Sequence, residues 1–296
     1  MLRAFRPSGA RAALAWAGTG SAVREAVLRS TTSSSNASKY LSHLADFAAW
    51  AHGEGVPMTL THLFDPDVIE RYIAVGMPTA KDSTRATRRA VLRRVAQRCS
   101  PAALNPPLPI SYRRLRPPYS ADEVRGFLAL AASQPTPSRR QTLEAIVHLG
   151  LGCGIASRDL GWVRGRDVTR LPDHAVSVSV SGGTRPRSVV ALQRHEEALL
   201  QLAAAKGSGL LIGGRVRGRR NITRGPLDRV VGGEDLPRLE TARLRSSWLL
   251  THLRAQTPLP ALMQAAGLTT VRPLEDLLDL CPVSPDTARA ALRGAG

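Results

Sequence analysis

Arg245 is the residue whose position most directly indicates chemistry. It precedes the apolar part of ARLRSSWLLTHL (242–253), where a tryptophan and two leucines follow on successive turns of a predicted helix. An arginine that faces inward at the start of such a helix can bind a phosphate through its planar fork of N–H donors. The alternative is a structural arginine, paired with Asp159 or Glu240, that holds two segments together without a ligand.

Other patterns that could carry catalysis or bind a metal fail on their spacing. His195 begins HEEAL, but Leu199 stands where a second histidine would complete a zinc-protease helix. GLGCG (150–154) lacks the dinucleotide-binding spacing, and the basic stretch GSGLLIGGRVRGRR (207–220) has no phosphate-binding Gly-Lys-Ser/Thr. The widely spaced cysteines form no CxxC pair, which indicates neither a zinc site nor a disulfide framework. We therefore expect no metal and no cofactor.

The charge of the chain indicates its partner. It carries 41 Lys and Arg against 23 Asp and Glu, a formal net charge of +18 over 296 residues. A field of this size attracts polyanions, so we expect double-stranded DNA as the partner. No apolar run is long enough to span a bilayer, so we expect no membrane association. The cysteine usage fits a reducing cytosol, and we expect a cytoplasmic protein that is nucleoid-associated when bound to DNA.

One basic stretch has helical spacing. In STRATRRAVLRRVAQR (83–98), Arg85, Arg89 and Arg93 fall on one row of a helix, with Arg88 beside them. Guanidinium groups about 6 Å apart on a helix can straddle phosphates, and arginine can also fork onto a guanine edge. The alternative is a solvated charged face without a ligand. The other predicted DNA-binding residues are Arg113, Arg114, Arg158, Arg185, Arg187 and Arg245.

The apolar periodicity predicts a mainly α protein with two domains. Helices ending at glycines fill the first half, and a run with five prolines interrupts them before a second helical region. In that region Val176, Val178 and Val180 alternate with serines, Gly182–Gly183 forms a turn, and Val189–Val190 returns as the second strand of a hairpin. The predicted divisions are a basic, mobile leader (1–29), a helical domain (30–104), a proline-rich basic linker (105–118) and a second domain (119–296).

Taken in order, these segments resemble the tyrosine recombinases, or phage-integrase family. LGLGCGIASRDLGWVRGRDV resembles the family's Thr-Gly-Leu-Arg-x-x-Glu-Leu box, and SGGTRPRSVVAL its hairpin with the catalytic lysine. ARLRSSWLLTHL resembles the His-x-x-Arg box, and LPALMQAAGLTTVRPLEDLLDL stands where the nucleophilic tyrosine belongs. The resemblance covers about residues 30–285. It implies a helical, SAM-like core-binding bundle followed by an α+β integrase-like catalytic-type domain with one small sheet.

In that family a tyrosine attacks the scissile phosphate while two arginines stabilise the transition state, and a lysine and a histidine handle protons. The resemblance places Arg245 at the second arginine. Arg158 is near the first arginine position but is rotated about 200° from it on a helix. The predicted hairpin turn has no lysine. The other family positions are degenerate: Ala156 for the first arginine, Ala242 and Leu268 for histidines, and Leu277 for the tyrosine.

The tyrosines of the chain are Tyr40, Tyr72, Tyr112 and Tyr119, so the second domain has none beyond its first residue. DNA affinity needs only distributed arginines, whereas cleavage needs a nucleophile. We therefore predict a DNA-binding, integrase-like protein involved in DNA recombination or integration that does not cleave strands.

Two alternatives remain open. One is an active recombinase whose nucleophile comes from a partner. The other is an interaction scaffold, in which a leucine stripe (Leu274, Leu277, Leu278) near the C-terminus docks onto a competent recombinase or a second copy. The same stripe could instead pack in the chain's own core.

Overall fold

The computed structural model describes residues 5–31, 33–99, 107–182, 185–213 and 221–294, without the side chain of Arg11. Part of the predicted hairpin turn (Gly183) and residues 214–220 of the basic stretch 207–220 lie outside the described residues. The chain divides into two compact units, Met1–Tyr112 and Arg113–Gly296. The division lies inside the segment 105–118, where prolines bracket a basic patch.

In the residues of unit 1 that the structure describes, all regular structure is helical. Ser33 caps α2 by accepting a hydrogen bond from the Asn36 backbone N–H, and Asp65 caps α4 with Pro66 in its first turn. Its buried residues include Phe47, Phe64 and Tyr72, which form one aromatic cluster. The helices are α1 (Ala10–Ser30), α2 (Ser34–Gly53), α3 (Leu60–Leu63), α4 (Pro66–Val75) and α5 (Asp82–Cys99).

The prediction of a mobile leader over residues 1–29 is wrong for α1. Ala15, Trp16, Val23 and Val27 are at most 5% exposed, and α1 packs against α2 and α5. The buried face is made mostly of alanine and valine, and in a segment that also carries arginines and glycines it gave no clear signal of a core helix. Only a short polar connection separates the two helices, because α1 ends at Ser30 and α2 begins at Ser34.

Unit 2 surrounds helix α7 and carries one antiparallel sheet in the order β1-β2-β3. Val178 lies opposite Val168 on β1 and Val189 on β3, which places the predicted alternating valines in the core. The predicted capping box of Ser120 and Glu123 begins α6. The elements are α6 (Ala121–Ala132), α7 (Pro137–Cys153), β1 (Val168–Arg170), β2 (Val176–Val180), β3 (Arg187–Val190), α8 (Glu196–Lys206), α9 (Arg224–Leu227), α10 (Thr241–Arg254), α11 (Leu259–Ala266), α12 (Arg272–Leu278) and α13 (Pro285–Leu292).

The structure confirms the predicted fold class, a mainly α protein with one small sheet. Within the described ranges, no helix is both long enough and apolar enough to cross a membrane.

Two histidines that are far apart in the chain meet in the core of unit 2. The Nδ1 atoms of His148 on α7 and His195 before α8 are 3.0 Å apart, and Arg194 Nε donates to His195 Nε2 at 3.3 Å. His195 therefore carries its proton on Nδ1 and donates it to His148. Burial lowers the pKa of His148 to about 4. Burial, with the charges of His148 and Arg194, lowers the pKa of His195 to about 3.

This pair makes the stability of unit 2 depend on pH. Because both pKa values lie below that of an unfolded histidine, the pair's contribution is complete above about pH 6.5 and is lost as the pH falls through about 4. We expect urea denaturation to show a loss on the order of 3 kcal/mol for each of the two histidines between these pH values. The His148→Gln variant keeps an acceptor for His195 and is expected to show a smaller loss. Equal pH dependence in both proteins would contradict this assignment.

Candidate nucleic-acid interface

Four arginines of unit 2 contact either one acidic side chain or the C-terminal ends of two helices. We call Arg158, Arg185, Arg187 and Arg245, together with Asp159, the arginine cluster. They come from the segment after α7, the start of β3 and the first turns of α10. They were all predicted as DNA-binding residues from separate segments of the sequence, and the structure brings them together.

Arg245 joins the C-terminal ends of two helices. Its Nη1 donates to the carbonyl of Gly154, which ends α7, and its Nη2 donates to the carbonyl of Ala266 in α11 at 2.5 Å. Such carbonyls have no partner within their helix and carry partial negative charge, so a guanidinium group stabilises them. The structural alternative predicted a salt bridge from Arg245 to Asp159 or Glu240. Those partners are wrong, because Arg245 donates to backbone carbonyls instead.

Asp159 pairs with Arg187 instead. The Nη2 of Arg187 is 3.0 Å from the Asp159 carboxylate, and both side chains are about 5% exposed. The Nε of Arg187 donates to the Ala265 carbonyl at 2.9 Å, again near the end of α11. Arg185 donates to the carbonyl of Gly267 and to the Thr269 hydroxyl. The hairpin arginines thus hold the α11–α12 connection against the sheet.

Arg158 differs from the other members because its side chain is 66% exposed. Its Nε is 3.8 Å from the second oxygen of Asp159. The buried Asp159 carboxylate therefore pairs with Arg187 and lies near Arg158, while Arg185 and Arg245 bind backbone carbonyls. This leaves a surplus of positive charge that reaches the surface through Arg158.

The pKa of Arg245 is lowered mainly because the side chain is buried. Burial, and next the charge of Arg187, lower the pKa of Arg245 to about 10, although Asp159 opposes the shift. The guanidinium stays protonated at neutral pH, and a bound anion would relieve the repulsion. An arginine also has more N–H donors than these carbonyl bonds use, so donors remain for a ligand.

Two glycines allow the helix ends to approach the cluster. Gly154 has φ +57° and Gly267 has φ +64°, a left-handed conformation that ends α7 and α11. A Cβ atom at Gly154 would lie 2.1 Å from the Trp248 ring, and one at Gly267 would lie 3.3 Å from the Arg187 guanidinium. Gly154 is therefore required by its backbone and by its packing.

The degenerate family positions lie in different surroundings. Ala156 is half-buried, and its carbonyl accepts the backbone N–H of Asp159 at 2.8 Å, so it lies beside the arginine cluster. Leu268 follows Gly267 directly, whereas Ala242 is exposed on the first turn of α10. Leu277 is 1% exposed and packs in the core of unit 2.

The predicted leucine docking stripe is wrong for two of its members. Leu274 and Leu277 are buried in the core, as the intramolecular alternative predicts, and Leu278 is 56% exposed. Nearby, the backbone N–H of Leu115 donates to Asp276 at 2.7 Å, which fixes the start of unit 2 next to Arg113 and Arg114. Both arginines are exposed.

The arginine row on α5 is not a row of freely solvated groups. Arg89 and Arg93 share Glu70 of α4 at 3.3 and 3.1 Å, and their side chains are 12% exposed. These arginines join α5 to neighbouring elements, and their contact with DNA stays a prediction. The remaining contacts are Arg85 with Asp82 and the Met77 carbonyl, and Arg88 with Asp46 and the Tyr72 hydroxyl.

A groove on another face of α5 has no acidic lining. We call it the α2–α5 groove; its volume is about 440 Å³. Among the ion pairs of the described residues, none involves Lys39 or Arg94, and both are exposed. Arg94 donates to the Tyr40 hydroxyl at 2.8 Å. The polar side chains that line the groove are Asn36, Lys39, Tyr40, His43, Thr87, Arg94 and Tyr112.

The α2–α5 groove escaped the sequence-based prediction because its cations lie on two helices. Asn36, Lys39 and His43 share one face of α2 at helical spacing, and Arg94 comes from α5. Burial, and next the charge of Arg88, lower the pKa of His43. The Nδ1 of His43 has no hydrogen-bond partner among the described residues. Cations without acids, beside amide and hydroxyl groups, are suited to contacts with phosphates and bases.

Solved structures resemble this chain over most of its length. The XerH site-specific recombinase, bound to palindromic difH substrate, matches with a TM-score of 0.64 and 16% identity, covering 87% of this chain and 79% of that one. The Tn1549 transposon integrase in complex with transposon right end DNA matches with a TM-score of 0.62 and 13% identity, covering 92% and 97%. No protein-family model and no curated protein sequence matches the chain. The chain therefore has the fold of the tyrosine recombinases and integrases.

Proposed function

We propose that the protein binds duplex DNA as a recombinase-like factor in DNA recombination or integration and does not cleave strands. The structures that it resembles are complexes with DNA. The observation that carries the proposal is the combination found in unit 2. The arginine cluster holds four cations and a single acid, while the chain has no tyrosine after Tyr119.

The physical basis is that binding and cleavage need different groups. Affinity for duplex DNA comes mainly from counterion release, to which every well-placed cation contributes. Covalent cleavage requires an oxygen nucleophile aimed at phosphorus, and the leucine at the corresponding position is in the core. A chain can therefore lose the second property and keep the first.

We assign the DNA contacts to two surfaces, one in each unit. In unit 1 the α2–α5 groove offers Lys39 and Arg94 without competing acids. In unit 2 the arginine cluster offers Arg158 at the surface and Arg245 behind it. Arg113, Arg114 and the α5 row are further candidates for DNA contact. Substituting each set of residues separately shows which of them contribute to DNA affinity.

A mobility-shift titration with a duplex over a series of salt concentrations tests binding. We expect saturable binding at low salt, with an affinity that falls steeply and linearly in a double-logarithmic plot against salt. Footprinting on DNA that flanks the coding region would then identify a target. Absence of any shift at low salt would remove the proposal.

Substitution of Arg245 separates its two roles. We expect Arg245→Ala to weaken duplex binding and to reduce the salt slope by about one. It should also lower stability by about 1–3 kcal/mol, because the Gly154 and Ala266 carbonyls lose their partner. Arg245→Lys should recover the slope but only part of the stability. Unchanged DNA binding in a destabilised Arg245→Ala protein would show a purely structural arginine.

The remaining parts of the proposal concern setting and partners. We propose that the protein acts in the cytoplasm at the nucleoid and assists a catalytically competent recombinase or a second copy of itself. The alternative of a nucleophile supplied by a partner is favoured by one observation, the retained arginine cluster. Mixing with a candidate recombinase on a shared site, followed by light scattering, tests the association.

A further inference from the structure

We propose that unit 2 has a second anion site, which binds a small organic polyphosphate such as a nucleoside triphosphate. The site is a cavity of about 800 Å³ between the start of α7, the end of α8 and residues 221–230. We call it the α7–α8 pocket. Pockets for small ligands commonly have volumes of about 300–1,000 Å³, so a nucleotide fits.

The charge of the α7–α8 pocket is positive and largely uncompensated. Arg139, Lys206 and Arg229 line it, and none of them takes part in the ion pairs found among the described residues. The one acid of the lining, Asp228, is within 3.7 Å of Arg224 and within 3.6 Å of Arg238. The acid is therefore shared by two arginines, which leaves the other three cations available to a multiply charged anion.

The floor of the pocket is apolar. Leu143 and Ile222 are 3% and 8% exposed and Val230 is half-buried, so a flat ring would pack on the floor that they form. Gln134, which is 1% exposed, donates to and accepts from the backbone of Val231 and so holds the 221–230 segment in place. The first turn of α7 adds the positive end of a 17-residue helix. Cations beside an apolar wall suit a phosphate chain attached to a base.

The α7–α8 pocket is separate from the arginine cluster. Arg139 and Gly154 lie near opposite ends of α7, about 22 Å apart at the rise of an α-helix. The proposal therefore does not depend on DNA binding. Phosphates of DNA carry the same chemistry, so the experiment must distinguish a free nucleotide from DNA.

Calorimetric titration of the full chain with ATP, without divalent cations and near physiological salt, tests the site. We expect saturable binding that weakens at least about tenfold in Arg139→Glu with Arg229→Glu, because two charge-assisted contacts are lost. Inorganic triphosphate should bind more weakly than ATP, since it lacks the ring. Lys206→Gln serves as a second variant if the double variant melts at a lower temperature.

The matched control is Arg170→Glu with Arg293→Glu, which changes the net charge equally at two exposed arginines outside the pocket. Its ATP affinity should stay within about twofold of the unsubstituted chain, since the pocket is intact. No saturable binding to the unsubstituted chain, or equal weakening in both double variants, would overturn the proposal. So would displacement of ATP by duplex DNA together with a selective loss of DNA affinity in the pocket variant. If the unsubstituted chain binds ATP but does not bind duplex DNA, the result counts against the proposed function and not against this site.

Discussion

Replacing Lys39 and Arg94 with glutamine is expected to weaken duplex DNA binding at low salt by at least about tenfold and to reduce the salt slope by about two. Both side chains are exposed in the α2–α5 groove, which no acid lines. Each therefore meets a phosphate without first having to leave a protein carboxylate. Stability should change little, because Arg94 loses one hydrogen bond to Tyr40 and Lys39 loses none among the described residues. Mobility shifts over a salt series measure the DNA affinity and its salt slope.

The matched control is Arg89→Gln with Arg93→Gln, which lie on α5 like Arg94 and remove the same amount of charge. These arginines share Glu70, so their removal leaves that carboxylate half-buried without its partners. We expect a loss of stability of about 1 kcal/mol and a change in DNA affinity of less than about threefold. The opposite order, with the larger loss of affinity in the control, would show that the α5 row contacts the phosphates and that the α2–α5 groove does not.

The largest effect on stability is expected at Gly154. Alanine there must adopt a left-handed backbone, which costs about 1–2 kcal/mol, and its Cβ would lie 2.1 Å from the Trp248 ring. Because Trp248 is 1% exposed, the ring has no free space into which it can move. We expect Gly154→Ala to lower the free energy of unfolding by about 4 kcal/mol in total. Urea denaturation followed by tryptophan fluorescence measures it.

Gly55 provides the control for the backbone contribution. It has φ +73°, and a Cβ atom there would meet nothing within 4 Å. Gly55→Ala should therefore cost about 1 kcal/mol, from the left-handed conformation alone. Similar losses for the two variants would mean that Trp248 does not pack on Gly154, and the described junction of α7 and α10 would then be incorrect.

The elements that the sequence predicted well are those with local signals. The capping box at Ser120, the proline at the start of α4 and the alternating valines of β2 each specify their structure within a few residues. Helix α1 was missed because its segment contains scattered arginines among alanines and glycines, a composition that also fits a basic leader. Strand β1 is three residues long and has no periodicity to detect.

The candidate site was predictable in its residue types but not in its contacts. Arg158, Arg185, Arg187 and Arg245 were identified individually, because each is a basic residue in a conspicuous segment. The main partners of Arg185, Arg187 and Arg245 are backbone carbonyls at helix ends 21 to 91 residues away, which no side-chain pattern reveals. The α2–α5 groove and the His148–His195 pair likewise join residues that only the tertiary fold brings together.

The central claim is that this chain holds duplex DNA without becoming joined to it. The most direct measurement uses a suicide duplex, nicked so that a cleaved strand is lost, carrying a footprinted site of this protein. Each sample is run on a native gel and then on a denaturing gel. We expect a shifted complex on the native gel and no protein–DNA adduct on the denaturing gel, with or without a recombinase partner that lacks its own tyrosine. A covalent adduct formed by the pure chain would contradict the claim.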